Sequence, residues 1–450
     1  MRPLLTSAAK RAVRYLDSLE ARRVYPSSEA VDQLSQFDEP LPAGPTDPET
    51  VLALLDDAGT PATVASAGGR YFGFVTGGSL PAALAANWLA GAWDQNGALV
   101  AMSPVGAALE KVALRWLIDV LDLPPEAGAG FVTGATMANF TGLAAARHTL
   151  LKQQGWDVAA QGLFGAPPIT VIVGDEVHVS LLRALNLLGL GRERVTRVAV
   201  DGQGRMRAGS LAKLDESTII CIQAGNVNTG AFDPAQQICT AAHDAGAWVH
   251  VDGAFGLWAA AAPARAHLAV GVAEADSWAT DAHKWLNVPY DSGLVFCRRP
   301  ELLREAMFGS AAYLIQGDTR EPCHFTPEYS RRARGIEVWA ALRSLGRVGL
   351  ADLIERNCQF ATRLANELRA AGYHVLNHVE LNQVLVSFGA AETTRRVIEA
   401  VQRDGTFWCG GTIWQGHTAM RLSVSSWATT ETDVEQCLEA LLRLAAEERS

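Results

Sequence analysis

The chain has 450 residues, of which 49% are hydrophobic and 19% charged, and its formal net charge is −10 at pH 7. A chain of this length can bury a large core and usually forms about two or three domains. The acidic balance argues against the clustered basic face that a nucleic-acid partner requires. No apolar run reaches the ~18 residues of a membrane-spanning helix, so we expect no membrane association.

The N-terminus and the cysteines both favour a cytoplasmic protein. The first residues include Arg2, Lys10 and Arg11 and lack the apolar segment of a secretory signal. The seven cysteines are scattered and never take the Cys-x-x-Cys spacing. This usage is typical of reduced thiols and argues against disulfides or zinc. We therefore predict a cytoplasmic location and no bound metal.

Before residue 128 the pattern predicts helices. Residues 1–25 have the spacing of an amphipathic helix. A short helix is predicted from Pro48, with Thr46 or Asp47 as its N-cap. Two more helices are predicted over 80–93 and 104–121. We expect residues 1–65 to form an N-terminal helical arm.

From Gly128 onward, apolar segments of strand length alternate with helical patterns, which predicts an α/β fold with a mostly parallel sheet and helices on both faces. The predicted strands are 169–173, 195–200, 218–223, 248–251, 277–280 and 294–297, and the predicted helices between them are 136–153, 180–188 and 234–245. A long helix over 335–371 and strands at 384–388, 412–414 and 420–424 predict a small C-terminal α+β domain. The expected segments are thus 1–65, a large domain at 66–307, a loop at 308–334 and a small domain at 335–450.

Asp252 and Lys284 follow two neighbouring strand-like segments. Asp252 ends the apolar run 247–251, and an ionised carboxylate buried there needs a partner. Lys284 stands between His283 and Trp285, a partly apolar setting that is expected to lower the pKa of its amine. Because α/β sheets bind ligands at the carboxyl ends of their strands, we expect both side chains to face one ligand. Pyridoxal phosphate uses such a pair, with lysine as the Schiff base and aspartate at the pyridine nitrogen.

Two strand exits carry further candidates for such a site. The stretch 130–136, Gly-Phe-Val-Thr-Gly-Ala-Thr, leads into a predicted helix, so its N–H groups and hydroxyls suit a phosphate. The structural alternative is a helix-capping turn. His178 follows the strand 169–173, where it either stacks on a cofactor ring or is hydrogen-bonded in a turn. Asp175 and Glu176 are candidate caps of the next helix.

The segment 225–234 is a third strand exit. The side chain of Asn226 is a candidate for a cofactor or substrate contact. Asp233-Pro234 is predicted to start the next helix as N-cap and first helical residue. For Asp252 taken alone, the alternative is a carboxylate that caps the following turn, where Ala254 leaves room for a ring.

These residues resemble the group II pyridoxal phosphate-dependent amino acid decarboxylases, which include the aromatic amino acid and glutamate enzymes and have fold type I. The most specific motifs are His-Val-Asp-Gly-Ala-Phe at 250–255 and Asp-Ala-His-Lys-Trp at 281–285, supported by weaker matches at 133–139, 175–178 and 420–425. The resemblance runs from about residue 68 to the C-terminal helices. It implies pyridoxal 5′-phosphate as the cofactor of the large domain.

The resemblance implies a role for each matching residue. Lys284 would form the aldimine with the cofactor, Asp252 would pair with the pyridine nitrogen, and His178 would stack on the ring. Ala254 would lie against the opposite face of the ring. The residues expected around the phosphate are Thr133, Gly134, Ala135, Thr136, His283 and Thr280 or Asp281. Those expected near the ring hydroxyl or the substrate are Asn226 and Thr229.

The loop 308–334 departs from the family pattern. In many relatives a mobile active-site loop here carries a tyrosine that protonates the substrate carbon after carbon dioxide leaves. In this chain Tyr313 and Tyr329 lie near the ends of the loop, and the tyrosine's usual place falls next to His324. His324 is therefore one candidate acid, and a loop tyrosine and the freed Lys284 are the others. The structural alternative for His324 is an exposed loop histidine.

The main functional prediction is an amino acid decarboxylase, with an aromatic amino acid as the candidate substrate. Because the loop tyrosine is missing from its usual place, cleavage between Cα and Cβ of a β-hydroxy amino acid and oxidative formation of an aldehyde stay open. The alternative outside enzymes is a cofactor-binding regulatory protein. The candidate substrate contacts are Tyr71, Phe74, Trp93 and Arg421. The structural alternatives are packing in a dimer interface for the aromatic residues and a salt bridge for Arg421.

The resemblance also predicts the assembly. Family members are homodimers with active sites at the subunit interface. We therefore expect a homodimer in which the segments 71–78 and 93–103 line the partner's site.

Overall fold

A computed structural model of the chain describes residues 1–308 and 320–448. The chain divides into two compact units. The larger unit comprises Gly77–Thr362 and Asn377–Gln383, and the smaller unit comprises Met1–Thr76, Arg363–Leu376 and Val384–Ser450. The four-segment division stays a prediction, and part of its loop, including Tyr313, lies outside the described residues.

The larger unit contains a mostly parallel sheet. Its strands are β1 Gly128–Val132, β2 Thr170–Gly174, β3 Thr196–Val198, β4 Thr218–Gln223, β5 Trp248–Asp252, β6 Ser277–Asp281 and β7 Gly293–Cys297. In the described part of the chain these seven strands take the order β1-β7-β6-β5-β4-β2-β3. β7 is antiparallel to both β1 and β6, and the other neighbours are parallel. The carboxyl ends of β1, β2, β4, β5 and β6 therefore lie at one edge of the sheet.

The helices agree with most of the predicted ones. In chain order they are α1 Arg2–Ser18, α2 Ser28–Asp32, α3 Pro48–Leu54, α4 Pro81–Trp93, α5 Pro104–Val120, α6 Ala135–Gln153, α7 Val158–Gln161, α8 Val179–Leu187, α9 Ala235–Asp244, α10 Pro300–Phe308, α11 Gly335–Ala370, α12 Ala391–Asp404 and α13 Glu431–Glu447. None of the helices within 1–308 and 320–448 is long and apolar enough to cross a membrane.

The N-terminal helix is shorter than predicted. α1 ends at Ser18, so the prediction of a helix over 1–25 is wrong in its last turns. The guanidinium of Arg70 donates to the backbone carbonyls of Glu20 and Arg22 at 2.6 and 3.2 Å. In a continued helix these two carbonyl groups would accept hydrogen bonds from backbone N–H groups of the helix, but here they accept from the Arg70 side chain.

Burial explains which strands the sequence reveals. All six residues of β4 are buried, as are all five of β5. A parallel strand that is covered on both faces reads as an apolar run, which is the signal that predicts β4. β1 is missing from the predicted strands because Gly-Ala-Gly-Phe-Val has a low strand propensity. It forms through pairing with β7, from Gly128 opposite Cys297 to Val132 opposite Gly293.

Asp233 does not cap α9, so that prediction is wrong. The helix begins at Ala235, with Pro234 at the N-cap position. The carboxylate of Asp233 instead accepts the N–H groups of Met206 and Gln223 at 2.6 and 2.7 Å. Burial raises the pKa of Asp233 to about 6, although these two hydrogen bonds oppose the shift. Asp233 thus joins a loop to the end of β4.

A second sheet contains β8 His374–Val375, β9 Gln383–Ser387, β10 Gly410–Trp414 and β11 His417–Ser423. Among the described residues its strand order is β10-β11-β9-β8, and the pairs β10–β11 and β8–β9 are antiparallel. α11 is interrupted at Gly346, where φ is 60° and ψ is −176°. The predicted single helix over 335–371 is therefore two helices, because this left-handed φ suits glycine and not a helix interior.

A buried ion cluster covers the edge strand β1. Glu110, 2% exposed on α5, binds Arg331 at 2.7 Å and Arg320 at 3.0 Å. The same guanidinium groups donate to the carbonyls of Phe131 and Ala129 on β1. Edge strands carry unpaired backbone groups that proteins usually cover. The cluster therefore attaches both ends of the segment 320–331 to the sheet.

We predict that Glu110→Gln lowers the free energy of unfolding by about 3 kcal/mol, because it leaves the buried Arg331 without a counter-ion. The matched control is Asp119→Asn, which breaks the exposed Asp119–Arg347 pair on the same helix. The control is expected to cost less than about 1 kcal/mol. Urea denaturation followed by tryptophan fluorescence measures both. Equal losses in the two variants would contradict a special role for the buried cluster.

Candidate active site

Asp281 connects Lys284 to the start of helix α6. Asp281 is the last residue of β6 and is 2% exposed. Its Oδ2 lies 2.9 Å from Nζ of Lys284. Its Oδ1 accepts the N–H of Ala135, the first residue of α6, at 2.6 Å. One buried carboxylate therefore holds the lysine beside a helix N-terminus.

The pKa of Lys284 differs from the expectation. Burial lowers this pKa, but the charge and hydrogen bond of Asp281 outweigh burial, so the pKa of Lys284 is raised overall. Asp252 and Tyr290 act in the same direction. The prediction of a lowered pKa is wrong because the apolar neighbours in the sequence do not reveal that Asp281 faces the amine.

A cavity of about 310 Å³ lies in front of α6. Its lining residues are Thr133, Gly134, Ala135, Thr136, Met137, His178, Ser180, Asp281, His283 and Lys284. Gly134 is the N-cap of α6. A Cβ atom on Gly293 would lie only 2.4 Å from Cα of Gly134, so the two backbones need glycine to meet. The structure thus brings the predicted phosphate loop together with His178, His283 and Lys284.

His283 is fixed as a hydrogen-bond donor toward the cavity. The N–H of Ser292 donates to its Nδ1 at 3.0 Å, so Nε2 carries the proton of the neutral ring. Burial lowers the pKa of His283, which keeps the ring neutral. Nε2 lies 3.4 Å from Oδ1 of Asp281, and the ring of Tyr290 stacks on His283 at 4.3 Å. Sequence reasoning did not identify Tyr290, which follows the lysine motif without a motif of its own.

His178 caps helix α8. Its Nδ1 accepts the N–H of Ser180 at 3.2 Å and lies 2.7 Å from the hydroxyl of the same serine. The prediction that Asp175 or Glu176 caps this helix is therefore wrong. Glu176 instead accepts a hydrogen bond from the side chain of Asn226 at 3.0 Å. The cap fixes the orientation of His178, whose ring lines the cavity.

Asp252 is held by neutral donors. It is 5% exposed at the end of β5. Its Oδ2 accepts from Nδ2 of Asn139 at 3.1 Å, and its Oδ1 accepts the N–H of Ala254 at 3.2 Å. The turn-capping alternative thus accounts for one oxygen only. A buried carboxylate with neutral donors is suited to a cationic ligand group.

A comparison with protein families identifies the chain. The pyridoxal-dependent decarboxylase conserved domain matches residues 38–391. The chain belongs to this family. The aromatic-L-amino-acid decarboxylase of Bacillus atrophaeus is 23% identical, over 99% of this chain and 96% of the relative. The aspartate 1-decarboxylase of Aliivibrio fischeri is 31% identical, over 52% of this chain and 46% of the relative.

The solved structures support the same fold. A tryptophan decarboxylase from Oryza sativa, determined with PLP and tryptamine, has a TM-score of 0.90 at 22% identity and covers 99% of this chain and 97% of its own. The predicted α/β fold type I, with a small α+β part, is confirmed.

The chain is a pyridoxal phosphate-dependent amino acid decarboxylase, which makes it a carboxy-lyase.

The residues of the site fit pyridoxal phosphate. The first turn of α6 offers backbone N–H groups and a positive dipole end for the phosphate. Gly134 allows a close approach, and His283 presents a proton at Nε2. Asp252 offers a buried anion for the ring nitrogen. Asp281 adds a second negative charge near the phosphate position, and Lys284 balances it.

Five predicted cofactor contacts of this decarboxylase are not among the lining residues of the cavity: Asn226, Thr229, Asp252, Ala254 and Thr280. Thr280 is fully buried, and Thr229 donates to the carbonyl of Gln203 at 2.7 Å. Asn226 is 1% exposed and bonded to Glu176. Their proposed contacts with the cofactor or substrate stay predictions.

His324 is not an exposed loop histidine, so that alternative is wrong. It lies in a short 3-10 helix, Pro322–Phe325, and is 6% exposed. Its ring centroid is 3.8 Å from that of Phe308. Burial lowers the pKa of His324. It is not a lining residue of the cavity, and its role as an acid stays a prediction.

The predicted substrate contacts lie in both units. Trp93 ends α4 of the larger unit and is 43% exposed. In the smaller unit, Tyr71 and Phe74 stack on Trp408 with centroid distances of 5.1 and 5.3 Å. Arg421 lies on β11, and burial lowers its pKa. Their contact with substrate stays a prediction.

We predict that Asp281→Asn lowers the pKa of Lys284, because the substitution removes the carboxylate that raises it. In the cofactor-free protein, acylation of Lys284 by an amine-reactive reagent should then extend to lower pH. Peptide mass spectrometry across a pH series measures this change.

The exposed Lys213 provides an internal control in the same samples, since its labelling should not respond to the substitution. An unchanged pH profile for Lys284 would contradict the pairing with Asp281.

Proposed function

We propose that Lys284 binds the cofactor covalently and that the enzyme decarboxylates aromatic amino acids. The observation that carries the first part is the position of Lys284 at the cavity, beside the N-terminus of α6. Among the described lining residues, Lys284 is the only lysine or arginine. It is therefore the amine available to react with the aldehyde of the cofactor.

The remaining roles follow from the geometry around Lys284. The bound cofactor supplies an electron sink for the charge that develops at the substrate's α-carbon. Asp252 keeps a proton on the ring nitrogen, because a buried carboxylate favours the protonated pyridine. His178, which lines the cavity, would lie over the ring. The phosphate-binding residues are Thr133, Gly134, Ala135, Thr136 and His283.

The chain must also return a proton to the substrate carbon. Once the substrate amine replaced it on the cofactor, the Lys284 amine would lie at the cavity beside Asp281, where it could hold the proton given up by the substrate's ammonium group. His324 packs against Phe308 in a different segment. The geometry therefore favours Lys284 over His324 as the acid.

The aromatic substrate is supported by two observations. The aromatic-L-amino-acid decarboxylase of Bacillus atrophaeus aligns with nearly the whole chain, whereas the aspartate enzyme of Aliivibrio fischeri aligns with about half of it. An acidic substrate also needs a cation for its second carboxylate. Of the described residues that line the cavity, Lys284 alone carries such a charge, and Asp281 pairs with it.

We predict that borohydride reduction of the enzyme with its cofactor yields a stable adduct on Lys284. Lys284→Ala should abolish the adduct and lower decarboxylation about a thousandfold or more, because both covalent binding and proton transfer are lost. Lys213→Ala serves as the matched control and should retain both. An adduct on another lysine would contradict the assignment.

The same preparations test the substrate. A panel of aromatic, acidic and β-hydroxy amino acids is supplied while carbon dioxide, amine, aldehyde and peroxide are measured together. We expect carbon dioxide and amine in equal amounts, with the highest kcat/KM for an aromatic substrate. A preference for acidic amino acids, or aldehyde formed with peroxide, would contradict the proposal. So would glycine and aldehyde without carbon dioxide.

We also propose that the enzyme is a cytoplasmic homodimer. α4 is almost entirely apolar, yet Trp88, Leu89 and Trp93 are 43%, 55% and 43% exposed. Contiguous exposed apolar surface of this kind is typical of a subunit interface. All seven cysteines are buried and free, which suits a reducing compartment.

We predict that Leu89→Asp weakens dimerisation at least about tenfold, because it buries a charge in an apolar contact. Sedimentation over a range of protein concentrations measures the effect. Val348→Asp is the control, since Val348 is 83% exposed on another helix. An interface at α4 would be contradicted if the protein without substitutions is a monomer, or if both substitutions weaken the dimer equally.

A further inference from the structure

A chain of four buried hydrogen bonds leads to Asp252. Nε1 of Trp248 donates to the hydroxyl of Ser277 at 2.9 Å, and this hydroxyl lies 2.8 Å from Nδ1 of His250. Nε2 of His250 lies 2.9 Å from Oδ1 of Asn139, whose Nδ2 donates to Asp252 at 3.1 Å. His250, Ser277 and Asn139 are fully buried. This series of hydrogen bonds joins strands β5 and β6 to helix α6.

The donor and the acceptor of each of these four hydrogen bonds can be assigned. An ionised Asp252 only accepts, so Asn139 must present its NH₂ group to it and its carbonyl oxygen to His250. His250 must then carry its proton on Nε2. Burial lowers the pKa of His250 to about 3, so the ring is neutral and Nδ1 accepts from Ser277. All four donors therefore point toward the carboxylate.

Helix α6 is shaped around the histidine. A Cβ atom on Gly142 would lie 2.8 Å from Cε1 of His250. Gly142 is in the middle of α6, where glycine is unfavourable for the helix. The missing side chain gives the imidazole its place. An apolar residue at position 250 would need no buried polar partners. The presence of this network therefore indicates that the N–H donor of His250 is required.

We propose that His250 and Asn139 are positioning residues that fix the orientation of the Asp252 carboxylate for the ring nitrogen of the cofactor. The inference rests on the proposed pairing of Asp252 with that nitrogen. Asn139 binds one carboxylate oxygen, and His250 locks the amide of Asn139 in the only orientation that donates. Without this lock the amide can rotate and present its oxygen to the carboxylate.

The test compares two ligands that differ only at the ring nitrogen. Dissociation constants for pyridoxal phosphate and for its 1-deaza analogue, in which carbon replaces that nitrogen, are measured by absorbance titration of the cofactor-free full chain. The ratio is the dissociation constant of the 1-deaza analogue divided by that of pyridoxal phosphate, and it reports the interaction between Asp252 and the ring nitrogen. His250→Phe retains an aromatic ring but cannot donate, and it should reduce the ratio about tenfold. His250→Gln can donate to Asn139 and accept from Ser277, so it should keep the ratio within about twofold.

A merely structural role for His250 would weaken both ligands alike. An unchanged ratio in His250→Phe, with unchanged secondary structure by circular dichroism, would overturn the inference. If His250→Phe does not fold, Asn139→Leu removes the last donor at similar volume. The ratio should fall in the same way, and an unchanged ratio would again overturn the inference.

Asp252→Asn separates this inference from the proposed role of Asp252 itself. If the ratio persists in Asp252→Asn, the pairing of Asp252 with the ring nitrogen is wrong and the inference is overturned with it. If Asp252→Asn brings the ratio close to one while His250→Phe and Asn139→Leu leave it unchanged, only the positioning role is overturned.

Discussion

The carboxylate of Asp281 holds together parts of the site that are far apart in the sequence. One oxygen binds the first N–H group of α6, and the other binds Lys284. A helix N-terminus and an ammonium group are both positively polarised and would repel each other without an anion between them. The position of the reactive lysine relative to the helix therefore depends on one buried side chain. The same side chain keeps the amine protonated before the cofactor arrives.

The direction of β7 explains how these residues come together. Because β7 is antiparallel to both neighbours, its first residue, Gly293, lies opposite Val132 at the end of β1 and opposite Asp281 at the end of β6. The start of α6 then approaches Asp281 across Gly293. A side chain at Gly293 would collide with Gly134. The antiparallel strand thus requires glycine at the point where the phosphate loop meets the lysine turn.

Much of this fold is accessible to sequence reasoning because buried parallel strands read as apolar runs. The strand over 218–223 is predicted with its observed bounds, whereas the glycine-rich β1 is not predicted at all. Motifs also predict that Lys284, His178 and His283 converge, and these residues do line one cavity. His250 and Asn139 lie inside the motifs at 250–255 and 133–139, but nothing in the sequence shows that their side chains contact each other. They are 111 residues apart, and each one alone looks like an ordinary buried polar residue until the fold joins them.

The two buried carboxylates of the site are partnered in different ways, and this difference divides their tasks. Asp281 forms an ion pair with Lys284, so the chain itself balances its charge. Asp252 accepts hydrogen bonds from an amide side chain and a backbone N–H, both of which are neutral. Neutral donors stabilise a carboxylate without cancelling its charge, and burial strengthens the attraction of that charge for a cation. The negative charge of Asp252 thus remains available for a protonated ring nitrogen, while that of Asp281 is already used to hold the lysine.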